Sequence, residues 1–397
     1  MKLGSSHLCY CTNIHPGESW DEIRDNIERY LPLVKQRVSP DAPFGVGLRL
    51  SAAAAHSLSA PAARTQFAAF LRDQGLYVFT INGFPYGPFH GTSVKADVYL
   101  PDWRDARRLE YTNLLADLLA FLLPPDAQAT GSISTVPGAF KPNAASFDAI
   151  DRIVELLLRH VAHLVTVERE TGRRIVLALE PEPCCLLETV DETVAFFRDH
   201  LHSDAAAARL ATLTGLGPTA AHEALRKHLG VCLDLCHAAV EFEDSAQCVQ
   251  ALVGADIAIA KIQVTAGLRI PQVTAAAADA LRSFEDAVYL HQVLERGPAG
   301  LRRYVDIDDA RASDTWRAGG CEWRVHFHVP VFLENLEPFC STQPFVRETL
   351  ALHKRRPLTP HLEVETYTWS VLPARYREPL VEEAIARELL WVQGELA

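Results

Sequence analysis

Basic residues are nowhere concentrated in this chain. No Lys/Arg stripe with interleaved aromatics occurs, and the formal charge is −12, from 38 Lys+Arg against 50 Asp+Glu. A nucleic-acid interface needs a field of the opposite sign, so nucleic acid is excluded as a partner. No apolar run reaches the roughly 18 residues of a membrane-spanning helix. Met1-Lys2-Leu3-Gly4-Ser5-Ser6-His7 has neither the apolar core of a secretory leader nor an arginine-rich amphipathic stretch. The expectation is a cytoplasmic protein with no membrane insertion. The nine cysteines are an odd number without a Cys-x-x-Cys pair, so they read as reduced and mostly buried, and thiolate metal ligation is not expected of them. Repeats, low-complexity segments and domain linkers are missing too, and 1–397 reads as one domain.

What is present is a regular alternation. Strand-like runs fall near 7–12, 44–50, 77–82, 131–136, 175–180, 231–235, 259–264 and 361–366. Amphipathic helical patterns fall near 19–36, 61–74, 103–123, 145–171, 188–200, 217–229, 240–253 and 379–394. Repeated βα units predict an α/β fold with a parallel sheet closed as a (β/α)8 TIM barrel, whose working face is the C-terminal end of its strands. Residues 266–345 depart from that rhythm. A helical segment Pro271–Glu295, Gly297-Pro298, a polar strand-like run at 301–307 and a strand with His326 and His328 read as an elaborated excursion after strand seven, of the kind that shapes an active site.

The chemistry concentrates where apolar strands end. Arg174-Ile175-Val176-Leu177-Ala178-Leu179-Glu180-Pro181-Glu182-Pro183 finishes in two carboxylates clamped by prolines, which stiffen the strand exit and point Glu180 and Glu182 to one side. Asp234 and His237 form a D-x-x-H pair at the end of Val231-Cys232-Leu233-Asp234. His326 and His328 alternate along an extended run, and Glu365 closes His361-Leu362-Glu363-Val364-Glu365. Singly, each is the sort of residue that caps a loop or joins a salt bridge. Together they suggest one metal site assembled from several strands, because burying several carboxylates without a cation would raise their pKa values or destabilise the fold.

These motifs resemble the xylose-isomerase-like TIM-barrel superfamily, which includes sugar isomerases, sugar epimerases and endonuclease IV. Glu180-Pro181 is similar to the metal-bridging glutamate in the E-P-K-P motif of xylose isomerases. Val231 to Ala238 is similar to the G-V-C-x-D-x-C-H-A run of endonuclease IV. The resemblance implies a divalent cofactor, one or two ions of Zn, Mn, Co, Fe or Mg, held by Glu180, Asp234, His237, Gln263, His326, His328 and Glu365. It also implies that Glu180 and Glu365 exchange a substrate proton. More closely, Cys11-Thr12-Asn13-Ile14-His15-Pro16-Gly17-Glu18-Ser19-Trp20, Asn82-Gly83-Phe84-Pro85-Tyr86-Gly87 and Val98-Tyr99-Leu100-Pro101-Asp102-Trp103 resemble the EboE-type family of metabolite-traffic proteins. That likeness implies other Ebo-cluster proteins as partners.

Two departures from the superfamily pattern bear on the reaction. Glu182 stands where E-P-K-P has its carbonyl-polarising lysine, which disfavours the hydride-shift isomerisation and offers a base or ligand instead. Gln263 replaces an ionisable ligand with a weaker, neutral one. His15, Asn82, Tyr86, His90, Lys95 and Lys141 follow barrel strands and are expected to contact substrate, with Trp316, Trp323 and Trp369 as a candidate aromatic wall. The reading is a metal-dependent isomerase or epimerase for a small hydroxylated or carbonyl substrate, with Glu180, Glu182, Glu365 and His237 catalytic. A metal-dependent hydrolase and a non-enzymatic metabolite-binding barrel are its alternatives.

Overall fold

The computed structural model describes residues 1–90, 95–125, 130–144, 146–285 and 288–397. Eight parallel strands form the barrel wall: β1 (Ser6–Tyr10), β2 (Phe44–Arg49), β3 (Leu76–Asn82), β4 (Gly131–Thr135), β5 (Ile175–Leu179), β6 (Leu229–Asp234), β7 (Ala258–Val264) and a last strand, His361–Val364. The last strand pairs in parallel with both β7 and β1, and a parallel bridge between Cys11 and Gly47 joins β1 to β2. A two-residue antiparallel strand, Lys2–Leu3, adds to β1. All eight expected strands are present within a few residues of their expected limits. The helix Trp20–Val38 shows why such boundaries are legible: Ser19 caps it and Glu22 reaches back to the Ser19 backbone N–H.

The 266–345 region holds a second, antiparallel sheet. Its strands are β8 (Ala266–Ile270), β9 (Val293–Gly297), β10 (Gly300–Tyr304), β11 (Glu322–Val329), β12 (Asn335–Leu336) and β13 (Phe339–Ser341), which makes the closing barrel strand β14. The order is β10-β9-β11-β8-β13-β12. Strand β8 starts two residues after β7 ends, so the second sheet grows directly from the working end of the barrel. The expected helix over Pro271–Glu295 is corrected to a short helix, Ala275–Ala280, a 3-10 turn, Leu281–Phe284, and strand β9. Val293 and Leu294 are fully buried and pair between β10 and β11, so tertiary packing overrides the helical pattern. The polar run at 301–307 stops as a strand at Tyr304, and Ile307 begins a helix. Helices Ala52–Leu58, Asp204–Thr214, Leu235–Val240 and Gln343–Arg355 were not separated out in the sequence. Ala145, at the start of an expected helix, and residues 286–287, within the expected Pro271–Glu295 helix, lie outside the described residues.

Alternation along the strands sorts the two faces. Leu177 and Leu179 join the main core beneath the helices, while Val176 and Ala178 pack with Cys232 and Ala260 in a separate cluster on the other face. Glu180 and Asp234 continue that second, inward series. Deeper in the barrel, Lys261 Nζ meets Glu363 Oε2 at 2.6 Å, both side chains fully buried. Gly47 makes room for them, because a Cβ there would run into the Glu363 carboxylate. The main hydrophobic cluster includes Leu268, Phe327 and Val329 of the second sheet together with Val364 of the barrel. Among the described residues no helix is long and apolar enough to cross a membrane.

Removing one partner of the interior pair strands the other charge. Lys261→Met is therefore expected to cost about 3–5 kcal/mol in chemical denaturation, and Lys261→Met/Glu363→Leu distinctly less. Equal losses in the two variants would show that packing, and not the charge, sets the cost.

Candidate metal centre

Four barrel strands and one bulge bring the candidate ligands together. Glu180 leaves β5 directly, with Glu182 two residues on across Pro181. Asp234 ends β6 and caps the following helix: its Oδ1 accepts from the backbone N–H of Cys236 (2.7 Å) and His237 (3.0 Å) and from Thr265 Oγ1 (2.6 Å). Its Oδ2 has no hydrogen-bond partner. One carboxylate thus serves both roles, cap with one oxygen and candidate ligand with the other. His326 and His328 sit in a bulge, where Val325 pairs with Leu268 but Val329 pairs with Ala266, leaving three residues of β11 opposite Gly267 alone. Such an irregularity re-aims side chains. A Cβ on Gly267 would press within 3.0 Å of Cys236 Sγ.

The imidazoles are oriented like metal ligands. Each Nδ1–H donates to an oxygen: His237 to Pro181 O (2.8 Å), His326 to Gln292 Oε1 (2.7 Å) and His328 to Glu365 O (2.5 Å). A neutral ring that donates through Nδ1 has only a lone pair at Nε2. His237 Nε2 and His326 Nε2 nevertheless face each other at 3.1 Å, and His328 Nε2 has no partner. Two facing lone pairs repel unless a cation lies between them: a metal ion, or failing that a proton. Glu180 Oε2 and Gln263 Oε1 are likewise buried without partners. Orphaned polar atoms cost about 1–3 kcal/mol each, so this convergence fits a divalent ion. Among the described residues, four ligand groups each have one donor atom per residue within 4.8 Å of the others: Glu180/Asp234/Glu365, Asp234/His237/His328, Glu182/His237/His326 and Cys236/His326/His328.

The ionisation pattern has the same cause. Burial, aided by Asp234 and Glu182, pushes the Glu180 carboxyl up to about 8 despite the His237 and Lys261 charges. Burial followed by the Glu180 charge raises Glu365 well above the ordinary range. Burial likewise raises Glu182, whose Oε1 accepts from Tyr99 Oη at 2.7 Å. Burial drives His326 far down and His328 to about 4. At His237 burial opposes the charged form, yet the Asp234, Glu182 and Glu180 carboxylates prevail and raise it.

Above the ligands lies a pocket of about 550 Å³. Glu180, Glu182, His237, His326, His328 and Glu365 line it, as do Asn82 and Lys95 of the expected substrate contacts. Asn82 Nδ2 donates to Glu365 Oε1 (2.7 Å), and Lys95 is paired with Asp306 (2.6 Å). The structure places the other four expected contacts off the pocket wall. His15 stacks on Tyr30 and bonds Tyr10, and Tyr86 packs edge-on against Tyr111. His90 braces Asn13 O and Tyr289, and Lys141 pairs with Glu188 and Glu192. The tryptophans form no wall either: Trp316 packs on Trp323, whose Nε1 donates to Glu295, and Trp369 is buried elsewhere. Tyr99, Tyr289, Tyr367, Phe84 and Phe89 supply the aromatic lining. Gln263 turns its amide N–H to Glu365 Oε2 (3.0 Å).

Sequence reasoning missed Asn13, whose Nδ2 donates to Glu365 Oε1 (2.6 Å), and Gln292, which bridges His326, Tyr99 and Pro183. It also missed Cys236 beside the two bulge histidines. An unbroken 234–237 motif was the one available signal for Cys236; nothing local marks Gln292.

No family model and no curated protein matches the chain. Solved structures do. One is a xylose isomerase domain protein from Planctomyces limnophilus, aligned over 92% of this chain and 91% of that one at 13% identity and TM-score 0.50. Another is a xylose isomerase-like TIM barrel protein from Mycobacterium smegmatis in complex with magnesium, aligned over 100% of both chains at 11% identity and TM-score 0.50. The fold is that of the xylose isomerase-like TIM barrels.

Metal binding here should displace protons. Titrating Zn²⁺ or Co²⁺ at pH 7 in buffers of different ionisation enthalpy is expected to show about one to two protons released per ion, fewer by about one in Glu180→Gln. In the metal-free protein Glu180 holds its proton when folded and releases it when unfolded, so stability falls as pH rises towards 8. His237, raised in the folded state, acts in the same direction above pH 6.5. Saturating divalent cation should cancel this slope between pH 6.5 and 8; a metal-free denaturation midpoint that climbs over that window would contradict the assignment.

Proposed function

We propose that the protein is a divalent-metal-dependent isomerase or epimerase acting on a small hydroxylated or carbonyl metabolite. The observation that carries this reading is the set of unpartnered lone pairs on Asp234, Glu180 and His328, with the facing His237–His326 pair, all but Asp234 on the pocket wall. A bound divalent ion, of Zn, Mn, Co, Fe or Mg, would polarise a substrate carbonyl or hydroxyl. Glu180 and Glu365, one residue past the ends of β5 and β14, would remove and return a proton at the adjacent carbon. The Asn13 and Asn82 amides on Glu365 Oε1, and the Gln263 amide on Oε2, stabilise its charged form when it gives the proton up. Glu182, held by Tyr99 and facing the pocket, is the group to move a second proton between substrate oxygens. The magnesium complex of the Mycobacterium smegmatis neighbour is consistent with an oxygen-rich ion site.

The finer likeness, on Cys11–Trp20, Asn82–Gly87 and Val98–Trp103, extends the proposal to an EboE-type role in metabolite processing or traffic in the cytoplasm, with other Ebo-cluster proteins as partners. One observation favours a second reaction. Three imidazole Nε2 lone pairs make a nitrogen-rich donor set suited to zinc, which supports hydrolysis of a small ester or phosphoester.

Metal content of protein purified without a metal-binding tag tests the common premise. Near-stoichiometric metal is expected, and its loss in Asp234→Ala/His237→Ala. No metal even after reconstitution would leave a carrier barrel. With metal-loaded protein, small hydroxyketones screened in D2O should take up deuterium at the α-carbon. Glu182→Gln should keep its metal and slow turnover about 10²–10⁴-fold. Hydrolysis of phosphoesters without any exchange would favour the second reading.

A further inference from the structure

The four ligand groups overlap, yet the all-carboxylate one shares no residue with the one that contains sulfur. Glu180/Asp234/Glu365 offers three carboxylate oxygens from the barrel, and Cys236/His326/His328 offers one thiol and two imidazoles. We propose that the second group is a soft metal site of its own, in which Cys236 Sγ, His326 Nε2 and His328 Nε2 hold a zinc-class ion beside the oxygen-ligated one. Beyond the metal centre already described, this adds a thiolate ligand and assigns the two positions to chemically different ions.

Several independent features carry it. The Nε2 of His328, a side chain only 1% exposed, has no hydrogen-bond partner, and a ring nitrogen of His328 lies within 4.8 Å of Cys236 Sγ. The Nδ1–H of each histidine is tied to an oxygen, which leaves each Nε2 with a lone pair to offer a metal. The Cys236 thiol is fully buried, and the position across from it is Gly267, where a side-chain carbon would crowd the sulfur at 3.0 Å. The bulge in β11 brings both histidines to that spot. Hard oxygen donors suit magnesium or manganese, whereas a sulfur–nitrogen set selects zinc or cobalt. On binding, the thiol gives up its proton to solvent and the ion takes the place of that proton. His237 is grouped with Asp234 on one side and with His326 and His328 on the other, and so stands between the two.

Cobalt makes the site visible without any knowledge of the substrate. Metal-free protein titrated with Co²⁺ should bind two ions and develop a thiolate-to-cobalt charge-transfer band in the near ultraviolet. Cys236→Ser should abolish the band and leave one ion bound, or weaken the second at least about tenfold. Cys232→Ser, altering a buried thiol outside the group, should keep the band. Zn²⁺ should erase it and excess Mg²⁺ should not. If Cys236→Ser does not fold, loss of the band in His328→Ala gives the same answer. Co²⁺ binding without a charge-transfer band, or a band that survives Cys236→Ser, overturns the soft site and leaves the metal-dependent reading standing. No Co²⁺ binding at all overturns both.

Discussion

Four carboxylates and three imidazoles meet at one end of a barrel with nearly all their surface taken from water, and the one fully buried lysine among the described residues, Lys261, is already engaged with Glu363. Coulomb repulsion between buried carboxylates and between facing imidazole lone pairs must be relieved by something positive. Protons do so in the metal-free chain, which is why Glu180 and Glu365 are pushed upward and why His237 alone among the three imidazoles is raised. A divalent ion would do it better, because it answers several donors at once. The hydrogen bonds around the centre follow from that requirement. The amides of Asn13, Asn82 and Gln263 converge on Glu365, and Gln292 fixes His326.

The barrel and the second sheet divide the work unequally. Oxygen donors come from barrel strand ends, where the backbone is held on both sides by parallel neighbours. Most of the nitrogen and sulfur chemistry sits where β11 bulges over Gly267 and Cys236. Tyr289 and Leu290 come from the segment that leads into β9, so the excursion forms part of the pocket wall as well as a covering for it. The shared core through Leu268, Phe327 and Val329 keeps the two parts in register.

The barrel was legible in the sequence because apolar strand-like runs alternate with amphipathic helical patterns, and several of those runs end in Asp, Glu or His. Glu180, Asp234, His237 and Glu365 could be singled out for the same reason. Illegible parts depended on contacts between distant segments. The Pro271–Glu295 stretch reads as helix until Val293 and Leu294 find partners in a sheet. His15, His90 and Lys141 follow strands as pocket residues should, but Tyr30, Asn13 and Glu188 draw them away from the pocket. Cys236 looked inert because a thiol's surroundings are not written beside it. Its neighbours lie about ninety positions along the chain.

The bulge in β11 also sets how the region can change length. A residue gained or lost between Val325 and Val329 would rotate one histidine to the opposite face of the sheet, since neighbouring positions on a strand point in opposite directions. The β9–β10 hairpin, turning at Pro298-Ala299 beside exposed positions, imposes no such frame. Insertions can accumulate at that tip while the spacing of two residues from His326 to His328 stays fixed, so the excursion combines a rigid reading frame at its root with free length at its end.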